Sequence, residues 1–140
     1  MSYPVLPESR IALGRRRALL ARFAVAAARV LTLFPPTVIR RVLVTVVRGA
    51  GPAAPADVLH WRTAVNTVSR RCAGQGCLQR SVAVMLLARC FGVAPVWKTG
   101  FRPCPFVAHA WVEAGGAPVG EPEAVADFRA VMAVDPEAVQ

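Results

Sequence analysis

The chain has 140 residues, enough for one domain with a buried core. Its composition is apolar (55% hydrophobic, mean hydropathy +0.44), yet its most apolar stretch, residues 23–47, is broken by Arg29, Arg40, Arg41 and Pro35-Pro36. That excludes the run of roughly 18–20 uncharged residues a membrane-spanning helix needs, and no A-x-A-type site follows a short apolar core, so a cytoplasmic protein without a secretory signal is expected.

In chain order, residues 11–34 have the spacing of an amphipathic helix. Leu20, Phe23, Ala24, Ala27, Leu31 and Phe34 form its expected buried face, and Arg15, Arg22 and Arg29 recur every seven residues on the other side. Pro35-Pro36 stops it. A second short helix is expected to bury Val38, Ile39, Val42, Leu43, Val46 and Val47, although this β-branched run also suits a strand. Residues 49–56 read as a Gly/Ala/Pro linker dividing a basic helical region, 1–50, from a core, 51–140.

Asp57 is the expected N-cap of a third helix with Val58, Trp61, Val65 and Val68 on one face. The Gly74-Gln75-Gly76 turn ends it. A helix from Cys77 to about Phe91 then buries Leu78, Val82, Met85, Leu86 and Cys90, and Gly92 stops it. Residues 94–101, 106–114 and 117–121 read as three strands, with Gly115-Gly116 turning the last pair, and a final helix is expected over 123–133. The fold class is α+β, with N-terminal helices and a cysteine-bearing helix packed on a small antiparallel sheet.

Two segments carry chemistry: Gly76-Cys77-Leu78-Gln79-Arg80-Ser81 and Ala108-His109-Ala110-Trp111-Val112-Glu113. A cysteine attacks as thiolate, and a free thiol with a pKa of about 8.5 is mostly protonated at neutral pH. A helix N-terminus favours the anion, and a nearby imidazole takes the proton. Glycine at 76 permits a tight start to the helix, and the backbone N–H groups around Cys77 are candidate oxyanion donors. A third group should orient the imidazole. An odd-length turn centred on Gly115 pairs His109 with Glu121, which holds the tautomer as a triad carboxylate does. A two-residue turn pairs Glu121 with Ala110 and puts it on the wrong face.

These residues resemble a family. Cys77-Leu78-x-Arg80-Ser81, Pro105-Phe106-x-Ala108-His109-Ala110-Trp111-Val112-Glu113 and Gly120-Glu121 look like the lasso-peptide leader peptidases, transglutaminase-like cysteine proteases that remove the leader from a ribosomally made precursor. The likeness spans about residues 57–128. It implies a papain/transglutaminase-like fold, catalysis by Cys77, His109 and Glu121, and no cofactor. The third family position is more often Asp. The length leaves no room for a fused recognition domain, so the resemblance implies the split form: a separate, small PqqD-like leader-recognition protein, a precursor peptide as substrate, and a companion ATP-dependent lasso cyclase.

Other readings stand beside this one. The same three residues serve acyl transfer to an amine. The net charge of +9, from sixteen arginines and Lys98, suits a non-catalytic module binding nucleic acid or an acidic partner, although no nucleic acid is expected for the peptidase. Glu113 shares the His109 face and competes with Glu121 to orient the ring, although it points parallel to the imidazole. Gln75, Arg80 and Trp111 are candidate substrate contacts, with a solvated turn, a salt bridge to Glu121 and a core aromatic as their structural counterparts. Cys72, Cys77, Cys90 and Cys104 form no C-x-x-C pair and lack the short ligand loops of structural zinc sites, so free thiols and no metal are expected. The N-terminal helices are expected to pack on the core, with a membrane surface or the recognition partner as alternative contacts for their arginines.

Overall fold

The computed structural model describes residues 11–139; residues 1–10 of the basic region, and residue 140, lie outside the described residues. The chain runs α1 (Arg15–Leu31), α2 (Pro36–Val46), β1 (Gly51–Pro52), α3 (Pro55–Val68), α4 (Arg70–Ala73), α5 (Cys77–Arg89), β2 (Val93–Ala94), β3 (Val96–Pro103), β4 (Phe106–Ala114), β5 (Ala117–Pro118), a 3₁₀ turn (Glu123–Asp127) and β6 (Arg129–Val134). The main sheet has the order β5-β4-β3-β6 and is antiparallel, which makes the protein α+β.

Helix α5 sits at the centre. Val82, Ala83, Val84, Met85 and Ala88 have no exposed surface, so it is covered on more than one side, as expected for a helix apolar all round. Helices α1 and α3 and strands β3 and β4 all pack on it. The Trp97 indole N–H on β3 donates to Ser81 Oγ at 3.0 Å and ties helix to sheet.

Helix α1 forms where the spacing predicts, but its buried face is different. Ala21, Ala24 and Ala28 face the core, while Phe23 is 72% exposed and Leu20, Ala27 and Phe34 are exposed too. Alanines at this spacing let two helix backbones approach closely, which Leu20 and Phe23 would prevent. In α2, Pro36 occupies the first turn, where its missing N–H costs nothing, and Ile39, Leu43 and Val47 are buried at i, i+4, i+8. The β-branched run is therefore a helix, with Val42 exposed.

Helix α3 starts at Pro55 after Ala54, so Asp57 lies in the first turn near the positive helix end and is not the N-cap. The short α4 went unseen in the sequence; Ser69 Oγ caps it by accepting from the Cys72 N–H at 3.2 Å. The segment 49–56 carries β1, whose Gly51 and Pro52 pair in parallel with Val93 and Ala94. One hydrophobic core draws residues from both sides of it, including Ala28, Leu43, Val58, Val84, Trp97 and Val112.

The expected final helix is corrected. Only Glu123–Asp127 is helical, as a 3₁₀ turn, and Arg129–Val134 pairs with β3 as an edge strand. The alanines of this segment suit a helix locally, but the free edge of β3 supplies ladder hydrogen bonds, and strand choice follows context more than propensity. Among the described residues no helix is long and apolar enough to cross a membrane.

The α1 correction is directly checkable. Ala28→Leu should destabilise the protein by about 1–3 kcal/mol through overpacking. Phe23→Ser should change stability by less than about 0.5 kcal/mol. Urea unfolding of both variants reads the difference, and the opposite order would restore the face predicted from sequence.

Candidate active site

Cys77 is the first residue of α5, held there by a tight turn. Gly76 donates its N–H to Arg71 O at 2.8 Å, and a Cβ at 76 would lie 2.6 Å from that same oxygen. Only glycine fits, so the identity of residue 76 fixes where the thiol begins the helix. The Gly76 N–H is thereby used, and the N–H groups of Cys77, Leu78 and Gln79, which a helix start cannot pair within itself, are the candidate donors near the thiol.

His109 lies on β4, opposite Gly100 of β3. Its Nε2–H donates to Glu121 Oε2 at 2.8 Å, which leaves Nδ1 as the ring nitrogen for the Cys77 thiol on the same cavity. Trp111, two residues on, stacks nearly parallel to the imidazole, with centroids 6.0 Å apart and planes 12° apart, and Phe128 closes a second side at 5.6 Å. The ring is thus flanked by two aromatics and held at Nε2.

Glu121 reaches His109, but not by the predicted register. The turn is the two-residue Gly115-Gly116 type, pairing Ala114 with Ala117 and Glu113 with Pro118. One more backbone bond follows, from Val119 N–H to Val112 O at 3.1 Å. Continued as a ladder, this register would turn Glu121 to the far face. The ladder stops instead. Gly120 has φ of +69°, which breaks the strand alternation and swings the next residue toward His109. Both the odd-length turn and the inference that an even turn removes Glu121 from reach are therefore corrected.

The carboxylate is nearly buried, with 3% side-chain exposure, and cations surround it. Arg62 Nη2 lies 3.6 Å and Arg80 Nη2 3.9 Å from Oε1, the oxygen His109 does not use. Arg80 also donates from Nη1 to Cys72 O at 2.8 Å. Burial alone would push the Glu121 carboxyl up, but the His109 hydrogen bond, then the charges of His109, Arg62 and Arg80, hold it below its ordinary value.

The same balance sets the other two groups. Burial disfavours the Cys77 thiolate, yet the hydrogen bond and charge of His109, the Ala110 N–H and the more distant Arg80 outweigh it and bring the thiol below its usual range. Burial also disfavours a charged imidazole, but hydrogen bonds to Cys77 and Glu121, with their negative charges, push His109 up to about 9. Both shifts favour a thiolate–imidazolium pair.

A family model described as the transglutaminase-like superfamily matches residues 21–133, from within α1 into β6. The chain belongs to the transglutaminase-like superfamily. No curated protein and no solved structure matches it.

In this transglutaminase-like domain the other sequence candidates have defined places. Glu113 accepts from the Trp111 indole N–H at 2.9 Å and pairs with Lys98 at 3.1 Å, away from His109. Trp111 is buried and backs the imidazole, and Arg80 is buried behind Glu121. Gln75 is exposed beside the nucleophile. Cys72 is buried and its thiol raised, chiefly by burial; Cys90 and Cys104 are exposed, and all four cysteines are free. Among the described residues no group of three or more His, Cys, Asp or Glu could hold a metal ion.

Arg62, Phe128 and the Ala110 N–H were not found from sequence. Arg62 carried the one available signal: a charge on α3 beside the apolar face of Trp61 and Val65.

Gly120 tests the geometry. A Cβ there would lie 2.8 Å from Arg62 Cδ, on a backbone that other residues avoid. Gly120→Ala should cost at least about 1 kcal/mol and slow iodoacetamide alkylation of Cys77 at neutral pH, because Glu121 no longer holds the imidazole. Wild-type alkylation rates in a folded Gly120→Ala protein would show that the bend does not position the carboxylate.

Proposed function

We propose that the protein is a cysteine peptidase that cleaves the leader from a lasso-peptide precursor. The observation that carries this reading is an imidazole that faces the same cavity as Cys77 and donates to Glu121, on a domain whose superfamily typically includes cysteine proteases and transglutaminases. The leader peptide as substrate is supported by the Cys77, His109 and Gly120-Glu121 motifs together. The PqqD-like recognition protein and the ATP-dependent cyclase rest on that resemblance alone.

In this mechanism the Cys77 thiolate attacks the scissile carbonyl and forms the C–S bond. N–H groups in the first turn of α5 receive the developing oxyanion. His109 gives its Nδ1 proton to the leaving amine, which departs as the C–N bond breaks. It then takes a proton from water, which attacks the thioester, breaks the C–S bond and releases the acid, restoring the Cys77 thiolate beside a protonated His109. Glu121 keeps the imidazole oriented and stabilises its charged form, with Arg62 and Arg80 keeping the carboxylate ionised.

The superfamily also favours a second reading, in which an amine replaces water at the last step. Incubation with precursor and recognition partner, with and without added amine, separates the two by product mass. Hydrolysis gives free leader acid and core, whereas transfer adds the mass of the amine less water. Cys77→Ala should abolish either product. Persistence of cleavage in that variant would remove the mechanism, and salt-sensitive binding with no Cys77-dependent product would favour the basic binding module.

The pH profile carries a sign. The active pair needs a thiolate, lost as pH falls through the Cys77 value, and an imidazolium, lost as pH rises through about 9. Glu121 raises His109, so Glu121→Gln should move the alkaline limb of cleavage to lower pH as well as reduce the rate. An unmoved alkaline limb would mean that the limb does not report His109.

A further inference from the structure

Two cavities meet at Cys77 and differ sharply in character. The first, about 360 Å³, lies between α2, α5 and the sheet, walled by Ile39, Leu78, Trp97, Phe101, Phe106 and Met132. Phe101 and Phe106 stack at 5.9 Å, and Phe106 is left 62% exposed. Cys77 and His109 both face this cavity.

The second, about 310 Å³, lies on the α1 and α4 side of the nucleophile, lined by Arg29, Arg71, Gln75 and Gln79 together with Cys77 and Leu78. It has no acidic lining, and among the described residues neither Arg29 nor Arg71 is ion-paired with a carboxylate. Each arginine sits in the last turn of its helix, where a cation is favoured. That preference accounts for a cation at each helix end. It does not bring two of them to the same side of one thiol.

We propose that the two cavities are the subsites on either flank of the scissile amide, one taking an apolar side chain and the other an acidic one read by Arg29 and Arg71. The inference rests on Cys77 as the acyl-accepting nucleophile. An acyl-transfer site must hold both flanks of the bond it breaks, because orientation supplies much of the rate. Burying a leucine-sized side chain in the first cavity corresponds to roughly a ten- to hundredfold gain. Each partly solvated arginine–carboxylate pair in the second corresponds to a gain of about twofold to fivefold.

Alkylation of Cys77 tests the subsites without requiring peptidase activity. The thiolate displaces iodide from each reagent and forms one C–S bond, with modification at Cys77, Cys90 and Cys104 followed by peptide mass. Iodoacetate should lose rate relative to iodoacetamide by several-fold at Cys77 in the Arg29→Gln/Arg71→Gln variant, with no change in ratio at Cys90 or Cys104. An unchanged ratio at Cys77 overturns the acidic subsite. N-benzyl iodoacetamide should outpace iodoacetamide at Cys77 by about tenfold or more, and Val131→Asp, at the cavity edge, should remove most of that gain. No gain for the benzyl reagent overturns the apolar subsite.

Short peptides carrying Leu and Asp on the two flanks of one amide, in both orders, complete the test. Preferred cleavage in one order supports the proposal, and equal cleavage of both orders and of an all-alanine control overturns it. Reagent ratios as expected, with no peptide cut, would support the subsites and count against the peptidase.

Discussion

A carboxylate that is almost fully buried is the constraint around which this site is arranged. Removing an ion from water costs several kcal/mol even after relaxation, so Glu121 is tolerable only because compensation reaches it from three elements. His109 from β4 donates to one oxygen, and Arg62 from α3 and Arg80 from α5 face the other. The same contacts keep the imidazole charged beside the thiol. Catalytic geometry and tertiary assembly are therefore one problem: a helix that shifts relative to β4 leaves a buried charge uncompensated.

Helix α5 connects the two. Its N-terminal residue is the candidate nucleophile, its fourth supports the carboxylate, its fifth bonds Trp97 of the sheet, and the rest is core. Burial on more than one side leaves it little freedom to rotate, which suits a thiol that must meet an imidazole on another element. Trp111 and Phe128 cover two sides of the ring, which lowers the polarity around the charged hydrogen bond to the buried Glu121 and strengthens it.

Much of this was legible in the sequence where spacing is local. The α5 start, the limits of β4, and Cys77 and His109 as the reactive pair follow from glycines, alternation and the reactive side chains themselves. What failed depended on packing partners. Helix α1 has two faces of similar hydropathy, and only its close approach to α5 selects Ala21, Ala24 and Ala28 over Phe23 and Phe34. Strand β6 has helix-compatible alanines and becomes a strand because β3 has a free edge. Glu121 was found through a register the chain does not adopt, since a positive φ at Gly120 has no readable signature beyond the glycine itself. Arg62 was missed because its partner lies 59 positions away in sequence.

The central claim is that Glu121 and Cys77 together keep His109 charged at neutral pH. Its most direct measurement is an NMR titration of the His109 ring in the intact protein, with Cys77→Ala and Glu121→Gln in parallel. The account predicts an imidazolium that persists to about pH 9 in the wild type and a lower transition in each variant. A wild-type ring titrating near the ordinary histidine value of about 6.5, unmoved by either substitution, would contradict it.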